Sequence, residues 1–173
     1  EYGDYDMLLP SKDVSSLIGI TQGKGKIAPI LSSGFPYSVY DADLSPAMLK
    51  WNILESVASG AKGFGIWGWC PFDAADMAVF SEVTASLLSV EHIIVNAAPI
   101  PPGKIRDAAG AAFVKGIESE EGAVILVSEY STATKEAIIE YEGNRGSVID
   151  LATGNPVAVR TKNGALSFSA RLD

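Results

Sequence analysis

The chain has 173 residues, of which 47% are hydrophobic and 20% charged, and 13 basic against 21 acidic side chains give a net charge of −8. This composition is typical of a folded globular protein, and the length permits one large domain or two small ones. No apolar run is long enough to cross a bilayer, and an acidic chain is a poor match for the phosphates of nucleic acids or of anionic membranes. We therefore expect neither a membrane span nor a nucleic-acid partner.

The chain contains one cysteine, Cys70, and one histidine, His92. A single cysteine excludes an internal disulfide and a cysteine-rich metal site, and a single histidine in a helical pattern disfavours a zinc site or a Ser–His–Asp triad. We expect no metal and interpret His92 as an ordinary helix residue. Because the chain starts at Glu1, with its first methionine at position 7 and no signal-peptide pattern, we expect a mature, cleaved or shortened polypeptide.

The first quarter of the chain predicts a strand, a helix and a second strand. Tyr5–Pro10 is a short apolar run stopped by proline, and Ser11 can cap a helix that Gly23 ends. Ile27–Leu31 then gives another short buried strand, weakened by its internal proline.

The apolar stretch Gly60–Trp69, with four glycines, predicts a strand buried on both faces. A helix precedes it, opened by Ser45 at the cap and Pro46 at the first helical position and ending near Ser59. A longer helix over Ala75–Asn96 follows it. Together with the first quarter, this half is predicted to be β-α-β-α-β-α, three successive crossover units.

The character of the sequence changes after the proline-rich segment Ala98–Gly103. Short alternating runs recur about every ten residues, which is typical of an antiparallel β-sandwich. We predict an α/β region at residues 1–97, a linker at 98–106 and an all-β domain at 107–173. The predicted strands are Phe113–Ile117, Ala123–Ser128, Glu136–Tyr141, Ser147–Leu151, Pro156–Arg160 and Leu166–Leu172.

Two segments carry a resemblance to a known group of enzymes. The first is the helix end Ala58–Phe64, with the sequence Ala-Ser-Gly-Ala-Lys-Gly-Phe. It is followed by a strand ending in tryptophan, a long helix, a proline break and a β-rich tail. In that tail Val148–Val157 resembles the DL-x-TG-x-x-V hairpin of terminal sandwich domains. The whole pattern resembles the C-terminal part of a glycoside hydrolase. The resemblance implies the last three β/α units of a TIM-type (β/α)8 barrel followed by an antiparallel β-sandwich.

Three β/α units cannot close a barrel, so the resemblance implies that the remaining barrel segment lies on the same or on a second polypeptide. It also implies a carbohydrate ligand, hydrolysis by water without a cofactor, and an extracellular or cell-surface location.

Glycosidases use a pair of carboxyl groups flanking the scissile bond. In many barrel glycosidases one is a glutamate at the end of the seventh strand, but here the corresponding strand ends in serines. The nearest acids are Asp41 and Asp43 in the following loop and Asp73 after the last strand, and we take these three as catalytic candidates. The alternative for Asp43, and for the neighbouring Asp76, is a place at the start of a helix, where an acid interacts well with the helix dipole.

Aromatic side chains around the same strand ends are candidates for stacking on a sugar ring. Trp67 and Trp69 come first, and Tyr37 and Tyr40 second. The alternative for the two tryptophans is core packing.

The sequence therefore predicts part of a glycoside hydrolase-like, carbohydrate-active protein, hydrolysing O-glycosyl bonds if the full barrel is present. The alternative is a non-catalytic structural, assembly or carbohydrate-binding protein built on a degenerate barrel and a sandwich. A free-standing α/β domain with a three-stranded parallel sheet is a third possibility. The sugar, the linkage, the catalytic carboxylates, the stereochemical outcome and the oligomeric state stay open.

Overall fold

The computed structural model describes residues 9–32, 45–67, 73–110, 112–129, 136–143, 146–162 and 164–172. Over these residues the fold is mixed α/β: four helices and a short pair of parallel strands come first, and antiparallel sheets follow. Within these ranges no helix is both long and apolar enough to span a membrane. The elements are α1 (Leu9–Thr21), β1 (Ile30–Ser32), α2 (Pro46–Ala58), β2 (Gly65–Trp67), α3 (Ala74–Leu88), α4 (Glu91–Asn96), β3 (Ala98–Pro99), β4 (Ile105–Asp107), β5 (Phe113–Glu118), β6 (Ala123–Ser128), β7 (Glu136–Tyr141), β8 (Val148–Ile149), β9 (Pro156–Val157), β10 (Val159–Lys162) and β11 (Ala165–Arg171).

Helix α1 begins earlier than the sequence predicted. Leu9 and Pro10, assigned to a strand, form its first turn, where a proline is tolerated because its missing N–H would have no partner within the helix. The rest of the predicted strand, residues 5–8, lies outside the described residues. The helix ends as expected at Gly23, whose φ of 71° lets its N–H donate to the Ile18 carbonyl at 3.0 Å.

Strands β1 and β2 form a parallel pair in which Ile30 lies opposite Gly65 and Ser32 opposite Trp67. Both strands are shorter than predicted, since the sequence pattern placed their starts at residues 27 and 60. Pro29 directly precedes β1 and has no N–H to donate. The strand-to-strand hydrogen bonding therefore cannot continue regularly beyond the start of β1.

Helix α2 follows the prediction closely. Ser45 is the N-cap and its side chain accepts the N–H of Met48 at 3.3 Å, while Pro46 occupies the first turn. The helix ends before Gly60, whose φ of 109° is a conformation that residues with a side chain rarely adopt. Gly60 is therefore the end of a helix and not the start of a strand.

The single long helix predicted over residues 75–96 is wrong, because the chain breaks it at Ser89 and Val90. The hydroxyl of Ser89 donates to the Ser86 carbonyl at 2.6 Å, and Val90 leaves helical geometry with φ −122° and ψ 17°. Beyond the break, the short helix α4 ends where the Lys62 ammonium donates to the Ile94 carbonyl at 2.7 Å and to the Ala97 carbonyl.

The core of the helical half lies between β1, α2 and α3. Leu31, Leu49, Ile53 and Val83 are all buried there. Phe64, just before β2, packs edge-on against Phe80 of α3 with ring centroids 6.1 Å apart. Hydrophobic burial in this cluster holds the two helices against one face of the strand pair.

The antiparallel part contains a four-stranded sheet of order β10-β11-β7-β4, a three-stranded sheet of order β3-β5-β6 and the β8–β9 hairpin. Residues of the two larger sheets share an apolar cluster, with Ile139 and Phe168 from one and Val114 and Val127 from the other. Antiparallel sheets confirm the coarse prediction for this half. The finer description, a barrel fragment joined to a sandwich, stays a prediction.

The β8–β9 hairpin has the turn that its sequence predicted. Gly154 adopts φ 71° and donates its N–H to the Asp150 carbonyl at 2.7 Å. The Asp150 carboxylate accepts the Ala152 N–H at 2.9 Å and the Thr153 hydroxyl at 2.8 Å.

The predicted linker contains regular structure. Ala98 pairs with Glu118 and Pro99 with Ile117, and β4 starts at Ile105. Helix α2 also contacts β5 and β6 directly. The division into regions 1–97 and 107–173 stays a prediction.

Candidate functional site

The carboxyl ends of β1 and β2 lie side by side, because the two strands are parallel and Ser32 is in register with Trp67. Residues 33–44 and 68–72 follow these two neighbouring strand ends in the sequence. In open parallel sheets ligands bind at this edge. Most of the predicted site residues belong to these two segments.

Five of the predicted site residues lie outside the described residues, as does the side chain of Trp67. For Trp67 the structure describes the backbone, at the last position of β2. The five are Tyr37, Tyr40, Asp41, Asp43 and Trp69. Their sugar-binding and catalytic roles stay predictions.

The two segments lead into the N-termini of α2 and α3, and the first half of α2 packs against the second half of α3. Lys50 of α2 pairs with Glu82 of α3 at 2.9 Å, and buried Leu49 and Val83 lie in one cluster. A helix N-terminus carries partial positive charge from its first N–H groups, so both segments end next to such a charge.

Asp73, the described member of the catalytic candidates, is the N-cap of α3. Its Oδ1 accepts the N–H of Ala75 at 2.7 Å and of Asp76 at 2.9 Å, and Asp76 Oδ2 accepts the Asp73 N–H at 3.2 Å. This reciprocal pair is a capping box. The structure thus gives Asp73 a helix-capping function, and a catalytic role for it stays a prediction.

Metal-ligating side chains do not converge in the part of the chain that the structure describes, which has no group of three or more His, Cys, Asp or Glu residues able to hold an ion. His92 lies exposed on α4, as its helical pattern predicted.

A polar cluster, which the sequence did not predict and of which Glu55, Ser59 and Ser128 are buried, lies where α2 meets β5 and β6. Glu55 has no exposed surface, and its Oε1 accepts the hydroxyl of Ser128 at 3.4 Å. The Lys115 ammonium donates to Ser59 Oγ at 3.3 Å and to Ser15 Oγ at 3.1 Å. Burial lowers the pKa of Lys115, and the negative charge of Glu55 opposes part of that shift. We call these five residues the polar seat.

A second polar cluster ties the antiparallel sheets together. Lys104 Nζ lies 2.7 and 2.8 Å from the two carboxylate oxygens of Glu118, and the Tyr141 hydroxyl donates to the same carboxylate at 2.7 Å. The ammonium also lies 5.9 Å from the centre of the Tyr141 ring. The three side chains thus bind one another, and we interpret this cluster as a structural contact between the sheets.

An open groove of about 490 Å³ runs between the end of α3 and the β8–β9 hairpin. Its walls combine small and aliphatic side chains, and no predicted site residue lies in it. The lining residues are Ala85, Ser86, Ser89, Val90, Ile149, Leu151 and Gly154.

No protein-family model and no curated protein sequence matches the chain. Among solved structures, the crystal structure of Thermotoga maritima α-fucosidase in complex with fucose matches with a TM-score of 0.50 and 14% identity, over 82% of this chain and 35% of that one. A second crystal structure of the same enzyme matches with a TM-score of 0.49 and 13% identity, over 82% of this chain and 34% of that one.

The likeness is one of fold. The chain has a glycoside hydrolase-like fold and spans about a third of the length of the solved proteins that it matches. At 14% identity the similarity carries no residue correspondence and no activity from one protein to the other.

Proposed function

We propose that this chain is part of a glycoside hydrolase-like, carbohydrate-active protein whose sugar site lies at the carboxyl ends of β1 and β2. The observation that carries the proposal is the register of these parallel strands, with Ser32 opposite Trp67. The two segments that contain the aromatic and acidic candidates follow these neighbouring strand ends in the sequence, which supports a common site. The fold likeness to a fucosidase supports the same class of protein.

In this proposal the aromatic residues bind the sugar. Trp67 and Trp69 stack on the apolar face of a ring, and Tyr37 and Tyr40 extend the same wall. Because the solved relative of similar fold was crystallised with fucose, L-fucose is the first sugar to test.

Asp41 and Asp43 are the first candidates for the catalytic carboxyl groups. Asp73 comes after them, since its Oδ1 already accepts two backbone N–H groups. Hydrolysis of an O-glycosyl bond needs a second carboxyl group, as acid, base or nucleophile. We propose that the remaining barrel segment supplies it.

The strand pair itself favours such an additional segment. Leu31 faces the helices and is 6% exposed, whereas Ile30, on the other face of β1, is 70% exposed. Parallel sheets are normally covered on both faces. Among the residues that the structure describes, β1 and β2 pair only with each other and one face of the pair is exposed, which suits further β/α units on the same or on a second polypeptide.

The alternative is a non-catalytic carbohydrate-binding or structural protein on the same fold. Two observations favour it: β1 runs into serines without a glutamate, and the Asp73 carboxylate caps a helix.

The proposal is tested by replacing Trp67 and Trp69 with alanine, separately, in the complete protein. We expect each change to weaken sugar binding roughly two- to twelvefold, because a stacked ring contributes on the order of 0.5–1.5 kcal/mol. Trp51→Phe is the matched control, since this third tryptophan lies on α2. Unchanged affinity and turnover in both alanine variants would contradict the site.

Asp41→Asn and Asp43→Asn separate the enzyme from the binding protein. An enzyme would lose roughly a hundredfold or more of its glycoside turnover in one of them while keeping sugar affinity. Sugar binding without any turnover in the parent protein would favour the alternative.

A further inference from the structure

The two helices that flank α2 leave large apolar side chains exposed. Among the described elements, α2 contacts both α1 and α3, which do not pack on each other to a comparable extent. Between 44% and 74% of each of four side chains is exposed on these two helices: Leu17 and Ile20 on α1, and Met77 and Leu88 on α3. Their positions around each helix show that they are not scattered.

On α3 the exposed apolar side chains point away from both contacts of the helix. Glu82 faces α2, where it pairs with Lys50, and Val83 is buried in the core shared with β1. At about 100° of rotation per residue, Met77 and Leu88 fall within about 20° of each other and at least about 120° from those two residues. They mark one side of α3, which faces neither α2 nor the core.

The residues between these two side chains on the same side of α3 are small and uncharged. They are Ser81 and Thr84, and the Thr84 hydroxyl donates to the Phe80 carbonyl at 2.7 Å within the helix. A helix side that faces solvent normally carries charged residues, whereas small side chains between larger apolar ones let a second helix pack closely. This side of α3 therefore has the character of a helix–helix contact.

Helix α1 shows the same arrangement on its own outer side. Ile18 reaches the end of α2 at Gly60, and the Ser15 hydroxyl accepts a hydrogen bond from β5 at 3.1 Å. Ile20 is turned about 160° from Ile18 and about 140° from Ser15, and Leu17 lies one turn before it. The exposed pair thus faces away from the elements that α1 contacts.

We propose, resting on the function proposed above, that one segment of further β/α units covers both outer sides with its helices. We call Leu17 with Ile20 the α1 seam, and Met77 with Leu88 the α3 seam. Among the described residues β1 and β2 pair only with each other. Each strand added in parallel at an edge of this pair brings a crossover helix, which packs beside the helices already present.

The length of the similar solved protein is the observation that favours this occupant. The chain matches 35% of the fucosidase crystallised with fucose, so that fold has room for several more units. The described part of residues 91–172 forms α4 and antiparallel strands. The stretch that follows α3 in this chain is thus used elsewhere, and the cover of the α3 seam comes from another part of the complete protein.

Alkylation of single cysteines in the complete protein tests both seams without any sugar. With Cys70 replaced by serine, Leu17→Cys and Met77→Cys are the probes. Ser16→Cys and Ala78→Cys are the matched controls, since each lies next to its probe in the sequence and about 100° away around the helix. All four positions are exposed in the described chain, so a difference in rate reports a covering segment.

We expect each probe to react with a maleimide at least about tenfold more slowly than its control, because a covered thiol is shielded from the reagent. The proposal is overturned if either probe reacts as fast as its control. It is also overturned if protection occurs only in particles that hold two copies of this chain, as measured by light scattering, because a second copy would then cover the seams.

The tryptophan variants test the sugar site separately. Exposed seams beside intact sugar binding would overturn the seams and leave the proposed function in place. Covered seams without sugar binding would do the reverse.

Oxidation of Met77 by hydrogen peroxide needs no substitution and decides the matter if a cysteine variant does not fold. In the folded complete protein we expect it to proceed at least about tenfold more slowly than in the same protein unfolded in urea. Equal rates would contradict the α3 seam.

Discussion

The two sides of α2 show how differently one helix can be held in place. Towards β1 and α3 it presents aliphatic side chains such as Leu49 and Ile53, and towards the antiparallel strands it presents Glu55 and Ser59. The first contact depends on burying apolar surface, which tolerates any group of similar shape. The second depends on matching donors, acceptors and charges, which fixes the position of the partners. Three variants probe the difference.

Ile53→Ala is expected to have the largest effect, because this side chain is fully buried on the apolar side of α2. Truncating a buried isoleucine removes transfer energy and leaves a cavity, at a cost of about 2–5 kcal/mol in the free energy of unfolding. Urea denaturation measures it. His92→Ala, at an exposed side chain on α4, is the control and should change stability by less than about 1 kcal/mol. Equal effects would contradict the assignment of the core.

Gly60→Ala tests the point where α2 ends between the two contacts. A methyl group there would lie 2.7 Å from Ile18 Cδ1 and 3.0 Å from Pro99 Cγ, at a φ of 109°. We expect a loss of about 1–3 kcal/mol from strain. Gly19→Ala on α1, where nothing lies within 4 Å, should instead stabilise by about 0.5–1 kcal/mol. Thermal unfolding of both variants would show opposite shifts, and shifts of the same sign would count against this geometry.

Lys115→Met is expected to have the smallest effect, visible as a change in pH dependence. Since burial lowers the pKa of Lys115 in the folded chain, the unfolded chain binds more protons between that lowered value and the ordinary lysine range. Stability from this group therefore rises as the pH rises through that window. In the variant, the free energy of unfolding should increase less towards alkaline pH. The increase that remains should come from Lys62, whose pKa is also lowered by burial. An identical pH profile in parent and variant would refute the assignment, and Lys50→Met serves as control.

Features with a local cause could be predicted from the sequence. Ser45 and Pro46 mark the start of α2 because a serine cap and a first-turn proline act within one turn of the chain. Gly154 marks the β8–β9 turn because its positive φ is a property of that residue. Antiparallel strands were predicted from alternation, and each of the six predicted segments overlaps a strand over at least part of its length.

Features that depend on the tertiary partner could not be predicted. Glu55 and Ser59 have the spacing of a solvated helix face, and only the arrival of β5 and β6 makes that face buried. The break at Ser89 depends on a hydroxyl that bonds back to the previous turn, which many serines within helices also do. Leu9 and Pro10 looked like a strand because a short apolar run carries no period of its own.

The proposed sugar site can be observed directly through its tryptophans. In the complete protein labelled with fluorotryptophan, the ¹⁹F resonances of Trp51, Trp67 and Trp69 are assigned with single Trp→Phe variants. On titration with L-fucose and a panel of simple glycosides, we expect the resonances of Trp67 and Trp69 to shift saturably while that of Trp51 stays in place. Saturable binding that moves neither Trp67 nor Trp69, or no binding by any sugar of the panel, would contradict a carbohydrate site at the ends of β1 and β2.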